Sequence, residues 1–315
     1  MKNIDINFFP GWTHKAMAFT IDDGWVAMDT NFINIVRPYG IKGSFNISSD
    51  NVTKYNNPNL IRATYRGFEI TNHVKLHPFA FRDGEDVRLS EEPLDEKTAD
   101  TSVCYRDSES PEGVYMKYAE NKGCWRRFCT TEAYISLVEK CREELEEIFG
   151  EGSVRGFVWP FFRQENAEVI EYLKPRYYGL RAAGKKEPME DMTFSLPSDR
   201  TDWQYNANHA NLLTRAVQFE ELEDDGKLKW FAFGVHSVDF ERAGKWEELS
   251  EFCRKYGNRP EDFWYASNVE IFEYEDAVKS VVITEHSIKN PSDIDLCIKI
   301  DGERFTLCAG CEINY

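Results

Sequence analysis

The chain has 315 residues, and 38 Lys+Arg against 55 Asp+Glu leave a formal charge of −17. That balance argues against a nucleic-acid-binding protein, which needs a basic footprint to displace phosphate counterions, and against docking on an anionic membrane. An aromatic content of 14% excludes a disordered chain, and the length suits one sizeable α/β core.

Apolar runs and helix-like segments alternate from the N-terminus onward, the pattern of βα units. Residues 15–21 (KAMAFTI) read as a buried strand, 25–39 as a helix stopped by Gly40, and 42–47 as a second strand. A short helix over 57–66 and a strand over 67–71 follow. Residues 83–129 are polar and charged with no clear period, and read as an insertion hanging over one barrel end. Residues 130–149 form the most regular helix, with Ala133, Leu137, Cys141, Leu145 and Ile148 on one face and Gly150 after it. Strands are expected at 154–159, 177–181, 228–235 and 263–266, and helices at 166–174, 211–222, 245–256 and 268–277. From 279 to 315 the pattern changes to short alternating strands with a hairpin signal at Asp301-Gly302. The expected division is a barrel over 1–278, carrying the 83–129 insertion, and a β tail over 279–315.

No segment approaches the ~20 apolar residues that cross a bilayer. The first 20 residues lack a signal-peptide apolar core, and Met1 suggests that nothing has been trimmed. The eight cysteines (104, 124, 129, 141, 253, 297, 308 and 311) have no framework spacing, so free thiols in a cytoplasmic protein are expected. Cys308-Ala309-Gly310-Cys311 offers a minor zinc motif with Cys297 and His286 upstream.

Two segments carry chemistry. Asp22-Asp23-Gly24 follows the first strand, where barrel active sites are built, although Asp-Gly pairs also mark ordinary turns. His73 and His77 follow the third strand, four residues apart, a spacing that lets both face one metal from a single helical turn. Two imidazoles and a carboxylate leave open positions for water and substrate.

In this order the two segments resemble the polysaccharide deacetylase (NodB-homology) family. Its strand-one motif T-F-D-D-G is similar to Phe19-Thr20-Ile21-Asp22-Asp23-Gly24, and its H-[ST]-x-x-H to His73–His77. Phe157-Val158-Trp159-Pro160-Phe161 resembles its third motif, Thr201-Asp202-Trp203 its fourth, and Phe233-Gly234-Val235-His236 its fifth. The likeness spans roughly residues 15–270 and points to an intracellular-type branch. It implies an α/β fold with a distorted (β/α)7-type barrel. It also implies roles: Asp23, His73 and His77 as ligands of one divalent ion, zinc first and Co, Ni or Mn also suited. Asp22 would be the general base on metal-bound water and His236 the acid on the leaving group. The Phe161 N–H would help hold the oxyanion, with Trp159, Pro160, Trp203 and Phe233 around the pocket. His209, on a loop after Trp203, is a rival acid or a substrate contact.

One departure stands out. The third-motif Arg, which pairs with the catalytic Asp in the family, is replaced by Val158. Arg155 lies three residues earlier and points to the other strand face. Arg181, at the end of the next strand, is the candidate substitute, and Arg163 the second. The resemblance implies a hydrolase removing an acetyl group from an acetylated sugar or oligosaccharide, with a homo-oligomer left open. The alternatives are an allantoinase-like opening of a cyclic amide or ureide, to which the missing Arg lends weight, and a non-catalytic sugar-binding protein. The net charge favours neutral or amino sugars over an anionic polymer.

Overall fold

The computed structural model describes residues 2–162, 166–181 and 192–315. Seven parallel strands form its central sheet: β1 (Lys15–Asp23), β2 (Gly43–Ile47), β3 (Glu69–Asn72), β4 (Val154–Val158), β5 (Leu180–Arg181), β6 (Lys229–His236) and β7 (Trp264–Tyr265). Their order is β5-β4-β3-β2-β1-β6, with β7 against the first half of β1. β1 is buried along almost its whole length because helices or loops cover both its faces, which is why it reads as an apolar run. Residues 203–207 lie between the two sheet edges. Trp203 bridges to Arg181 and Ala207 to Phe233, so the sheet curls towards a closed barrel.

Helices α1 (Val26–Val36), α2 (Pro58–Thr64), α3 (Thr131–Phe149), α4 (Ala167–Leu173), α5 (Leu212–Glu220), α6 (Ser237–Ala243), α7 (Trp246–Tyr256) and α8 (Asn268–Ser280) surround the sheet. Their starts are chemically marked. The side chains of Asn57, Thr130 and Asn166 accept the N–H of Leu60, Ala133 and Val169, and Ser267 forms a capping box with Glu270. The five apolar residues expected on one face of α3 are all buried. Each fully buried Leu or Ile there stabilises the fold by about 1.5–3 kcal/mol. The expected strand over 177–181 shrinks to its last two residues.

Residues 83–129 are not an aperiodic insertion. With Phe79–Ala80 they form a five-stranded sheet in which Cys124–Cys129 pairs with Val114–Ala119, then Val103–Arg106, then Arg88–Pro93. The period was hidden because both faces of the outer strands are wet: all of Arg88–Pro93 is exposed or half-exposed. A small cluster of Phe81, Cys104, Tyr115 and Phe128 is its own core.

The tail carries strands as expected, at 282–283, 287–289, 296–300, 303–307 and 312–314. Asp301 and Gly302 turn the hairpin with φ of 51° and 86°. Residues Ile4–Asp5 add a strand to Leu296–Ile300, so the two chain ends share one sheet. Among the described residues, no helix is long and apolar enough to cross a membrane.

Candidate active site

Strand register puts the functional groups at one level. Asp22 is opposite Asn46 of β2 and His236 of β6, and Val158 of β4 is opposite Arg181 of β5. All lie at the C-terminal ends of parallel strands, where Asp22 and His236 line a cavity of about 610 Å³.

The Asp22 carboxylate is buried and accepts from Asn46 Nδ2 at 2.6 Å. It also forms an ion pair with the guanidinium of Arg181, which is 0% exposed. Burial alone would push this carboxyl up. The charge of Arg181 above all, then those of His73 and His236, hold it below the usual carboxylate range. The pairing expected of a substitute for the missing third-motif Arg is thus present at Arg181. Arg155 points outward to Glu273. Arg163 lies outside the described residues.

Asp23 sits at φ 78°, and Gly24 after it at φ 81°. A Cβ on Gly24 would stand 2.9 Å from Ile47, so this turn needs glycine twice over. The turn directs Asp23 Oδ1 to 3.3 Å from His77 Nε2 and 3.5 Å from His73 Nε2. The two Nε2 atoms are 3.0 Å apart. His73 Nδ1 donates to the Val158 carbonyl at 2.8 Å, which orients the ring so that its Nε2 faces the cluster. Burial above all, then the neighbouring His73, pushes His77 down to about 3, so its ring stays neutral.

The histidines do not share a helical turn. Val74, Leu76 and His77 all have positive φ, at 58°, 67° and 49°. The loop is held from outside: Asn72 accepts the Val74 N–H at 2.9 Å, and Asp50 accepts the Leu76 N–H at 2.8 Å. Asn72 is itself fixed by the Val138 carbonyl and the Tyr177 hydroxyl. Sequence reasoning missed both supports, although the polar run Ser48–Asn51 at the end of β2 was a signal for Asp50.

His236 faces the same cavity with Nε2 3.9 Å from Asp23 Oδ2, and its Nδ1 donates to Asp239 at 2.9 Å. Burial works against its charge, but the Asp239 hydrogen bond and the Asp22 and Asp23 charges outweigh it and push it up to about 9. Asp239, three residues on at the start of α6, is a further group the motifs did not reveal.

The other expected site residues divide. Phe161 lines the cavity, 37% exposed at φ 54°, with its ring stacked on Phe79 and 4.4 Å from that of His77. Trp159 also lines the cavity, although almost wholly buried, whereas Pro160 is buried and does not line it. Trp203 does not reach the cavity and packs instead against Trp230 and Phe272. Phe233 is core, against Phe19 and Phe240, because it is three residues from His236 and so on the opposite face of β6. His209 does not line the cavity either. It sits on the 208–211 turn, with its ring 6.4 Å from that of Phe240. Trp25 takes a place none of these filled: it is 41% exposed at the cavity, its Nε1 donating to Asp23 at 2.9 Å.

Asp23, His73 and His77 can each offer one ligand atom within 4.8 Å of the others, the single such group among the described residues. Asp23 Oδ1 is buried with no hydrogen-bond partner, as an atom reserved for a cation would be. The tail cysteines form no comparable cluster; Cys308 and Cys311 are exposed free thiols.

A curled parallel sheet with carboxylates, histidines and a buried arginine gathered at the C-terminal ends of its strands has the layout of an α/β barrel enzyme. The chain belongs to the polysaccharide deacetylase family, whose model matches residues 12–179. It is accordingly a hydrolase of the carbohydrate deacetylase class, acting on C–N bonds other than peptide bonds. A Mycobacterium smegmatis protein described as a polysaccharide deacetylase superposes with a TM-score of 0.52 at 15% identity, covering 89% of this chain and 97% of its own. The Xyl-CE4 domain of a multidomain xylanase, from the hindgut metagenome of Trinervitermes trinervoides, gives 0.46 at 13%, covering 84% and 92%. No curated protein matches the chain in sequence.

Proposed function

We propose that the chain removes an acetyl group, held as amide or ester, from a carbohydrate with the help of one divalent cation on Asp23, His73 and His77, zinc being the best match to the donors. The observation that carries this reading is the buried, unpartnered Asp23 Oδ1 beside two imidazole nitrogens. When bound, such a cation supplies Lewis acidity to the acyl oxygen and acidifies water. Asp22 takes the proton from the attacking water, and Arg181 keeps that carboxylate ionised. His236 gives a proton to the departing nitrogen or oxygen, its ring held by Asp239 so that Nε2 faces the cavity. The backbone N–H of Phe161 is a donor for the developing oxyanion. Trp25 and Phe161 offer aromatic faces to a sugar ring.

The Arg181–Asp22 pair supports deacetylation over the opening of a cyclic amide, since it removes the departure that favoured the latter. Eight free thiols support a cytoplasmic setting. We read 1–278 as the catalytic unit and 279–315 as a brace across the chain ends.

The test is acetate release from acetylated oligosaccharides, paired with elemental analysis. Chelation is expected to abolish release and a divalent ion to restore it, and His73→Ala to lose both metal and activity. A protein whose hydrolysis no added or removed cation alters would overturn the reading.

A further inference from the structure

The cavity mouth gathers cations beside its aspartates. In a chain of net charge −17, three cations line it: Lys122 and Arg126 from the inserted sheet and Arg242 from α6. The acids of the same lining are already engaged. Asp22 pairs with Arg181, Asp23 faces the histidine nitrogens, Asp50 accepts the Leu76 N–H, and Asp239 accepts from His236. Arg242 is 69% exposed and touches Asp239 only at 3.6 Å. Lys122 and Arg126 are exposed and form no ion pair with a carboxylate among the described residues, whereas the neighbouring Arg127 is tied to Asp107 at 2.7 Å.

Position matters as much as charge. The guanidinium of Arg126 stands 5.8 Å from the centre of the Phe161 ring, which also meets the rings of Phe79 and His77. A cation is therefore held one aromatic ring away from the ligand cluster. Lys122 lies in the turn that joins the two central strands of the inserted sheet, so the insertion delivers both charges to the mouth. Screening over this distance is incomplete at ordinary ionic strength, because the Debye length is about 8 Å.

We propose that the mouth selects acylated sugars bearing an anionic group, a phosphate or a carboxylate, which Lys122, Arg126 and Arg242 bind while the acyl group lies at Asp22 and His236. The inference rests on the deacetylase reading above. It reverses the preference for neutral or amino sugars drawn from the net charge, because a local field at a cavity mouth decides which ligands enter.

The probes are N-acetylglucosamine, its 1-phosphate and 6-phosphate, and N-acetylmuramic acid as the carboxylate arm. Acetate release by metal-loaded protein is expected to favour at least one anionic probe in kcat/KM by about tenfold or more at low salt, with the preference shrinking as salt rises. Lys122→Ala/Arg126→Ala, at exposed positions that carry no core packing, is expected to cut the anionic-to-neutral ratio about tenfold, through KM rather than kcat. Calorimetry with metal-loaded Asp22→Asn separates binding from turnover. Equal use of neutral and anionic probes, with a ratio the double variant does not move, overturns the anion site and leaves the deacetylase reading intact. Anionic probes that bind, less tightly in the double variant, while no probe yields acetate, uphold the anion site and overturn the deacetylase reading. Absence of both binding and release overturns the two together. A response to the phosphates alone, or to the carboxylate alone, supports the proposal and names the anion.

Discussion

The two ends of the barrel each bury a carboxylate among hydrogen-bond donors and set it in opposite directions. At the C-terminal end Asp22 is held below the usual range, because Arg181 brings a full positive charge to it. At the N-terminal end Glu69 accepts from Ser44 Oγ at 3.0 Å and the Val269 N–H at 3.1 Å, next to a cavity of about 490 Å³. Burial raises that carboxyl, and its neutral donors do not reverse the shift, since Arg155 is turned to Glu273 at the surface. At Glu69 the neutral donors leave a net upward shift, whereas at Asp22 the buried cation turns the shift downward. The first end thereby keeps a carboxylate ionised, and the second fastens the start of α8 to the sheet.

The comparison is broken most directly at Asp22. Asp22→Asn keeps the hydrogen-bonding shape and removes the base, so kcat is expected to fall about 10²–10⁴-fold with metal content unchanged. An unchanged kcat would place the base elsewhere. Arg181→Met should cost less in rate and more in stability, since breaking one side of a buried ion pair costs about 3–5 kcal/mol. The same variant should raise the pKa of Asp22. Its activity should then be lost first at acidic pH and recovered as pH rises, a shift of the acid limb read from kcat/KM profiles.

A smaller effect sharpens the role of His236. Its protonated form is present below about 9 and lost above it. Asp239→Asn removes the carboxylate charge that helps raise the imidazole and weakens the hydrogen bond to it, so the alkaline limb of kcat/KM should move to lower pH. A limb that stays in place would detach His236 from proton donation.

The smallest effect on activity belongs to the other end. Glu69→Gln should leave kcat/KM within about twofold, because the substitution lies at the stability face of the barrel. It should act on melting instead. The folded state binds the Glu69 proton more tightly than the unfolded chain, so the wild type loses stability as pH rises through the folded pKa. The glutamine variant lacks that loss, and thermal melts at pH 5 and 7.5 should show the gap between the two proteins changing in its favour at the higher pH.

Legibility in sequence followed the separation of partners. Asp22, Asp23, His73 and His77 were visible because each pair lies within a few residues at the end of one strand. Arg181 was reachable through strand-end logic although 159 residues separate it from Asp22. Asp239 had a signal in its i+3 spacing from His236 that was not used. Trp203, Phe233 and His209 lie near motifs in sequence and away from the cavity in space, since proximity along a strand or loop does not say which face a side chain takes. Lys122 and Arg126 had no signal at all, being carried by a sheet whose wet faces hide its period.

By itself the sequence determined the βα rhythm, the cap-marked helices and the two short motifs, because these depend on local periodicity and on neighbours a few residues apart. Tertiary structure alone decided that His73 and His77 meet through a left-handed loop rather than a helical turn, that Arg181 neutralises Asp22, and that a chain of net charge −17 opens its cavity between cations. The reason is physical: burial, charge pairing and local field are set by which distant segments pack together, and no window along the chain contains them.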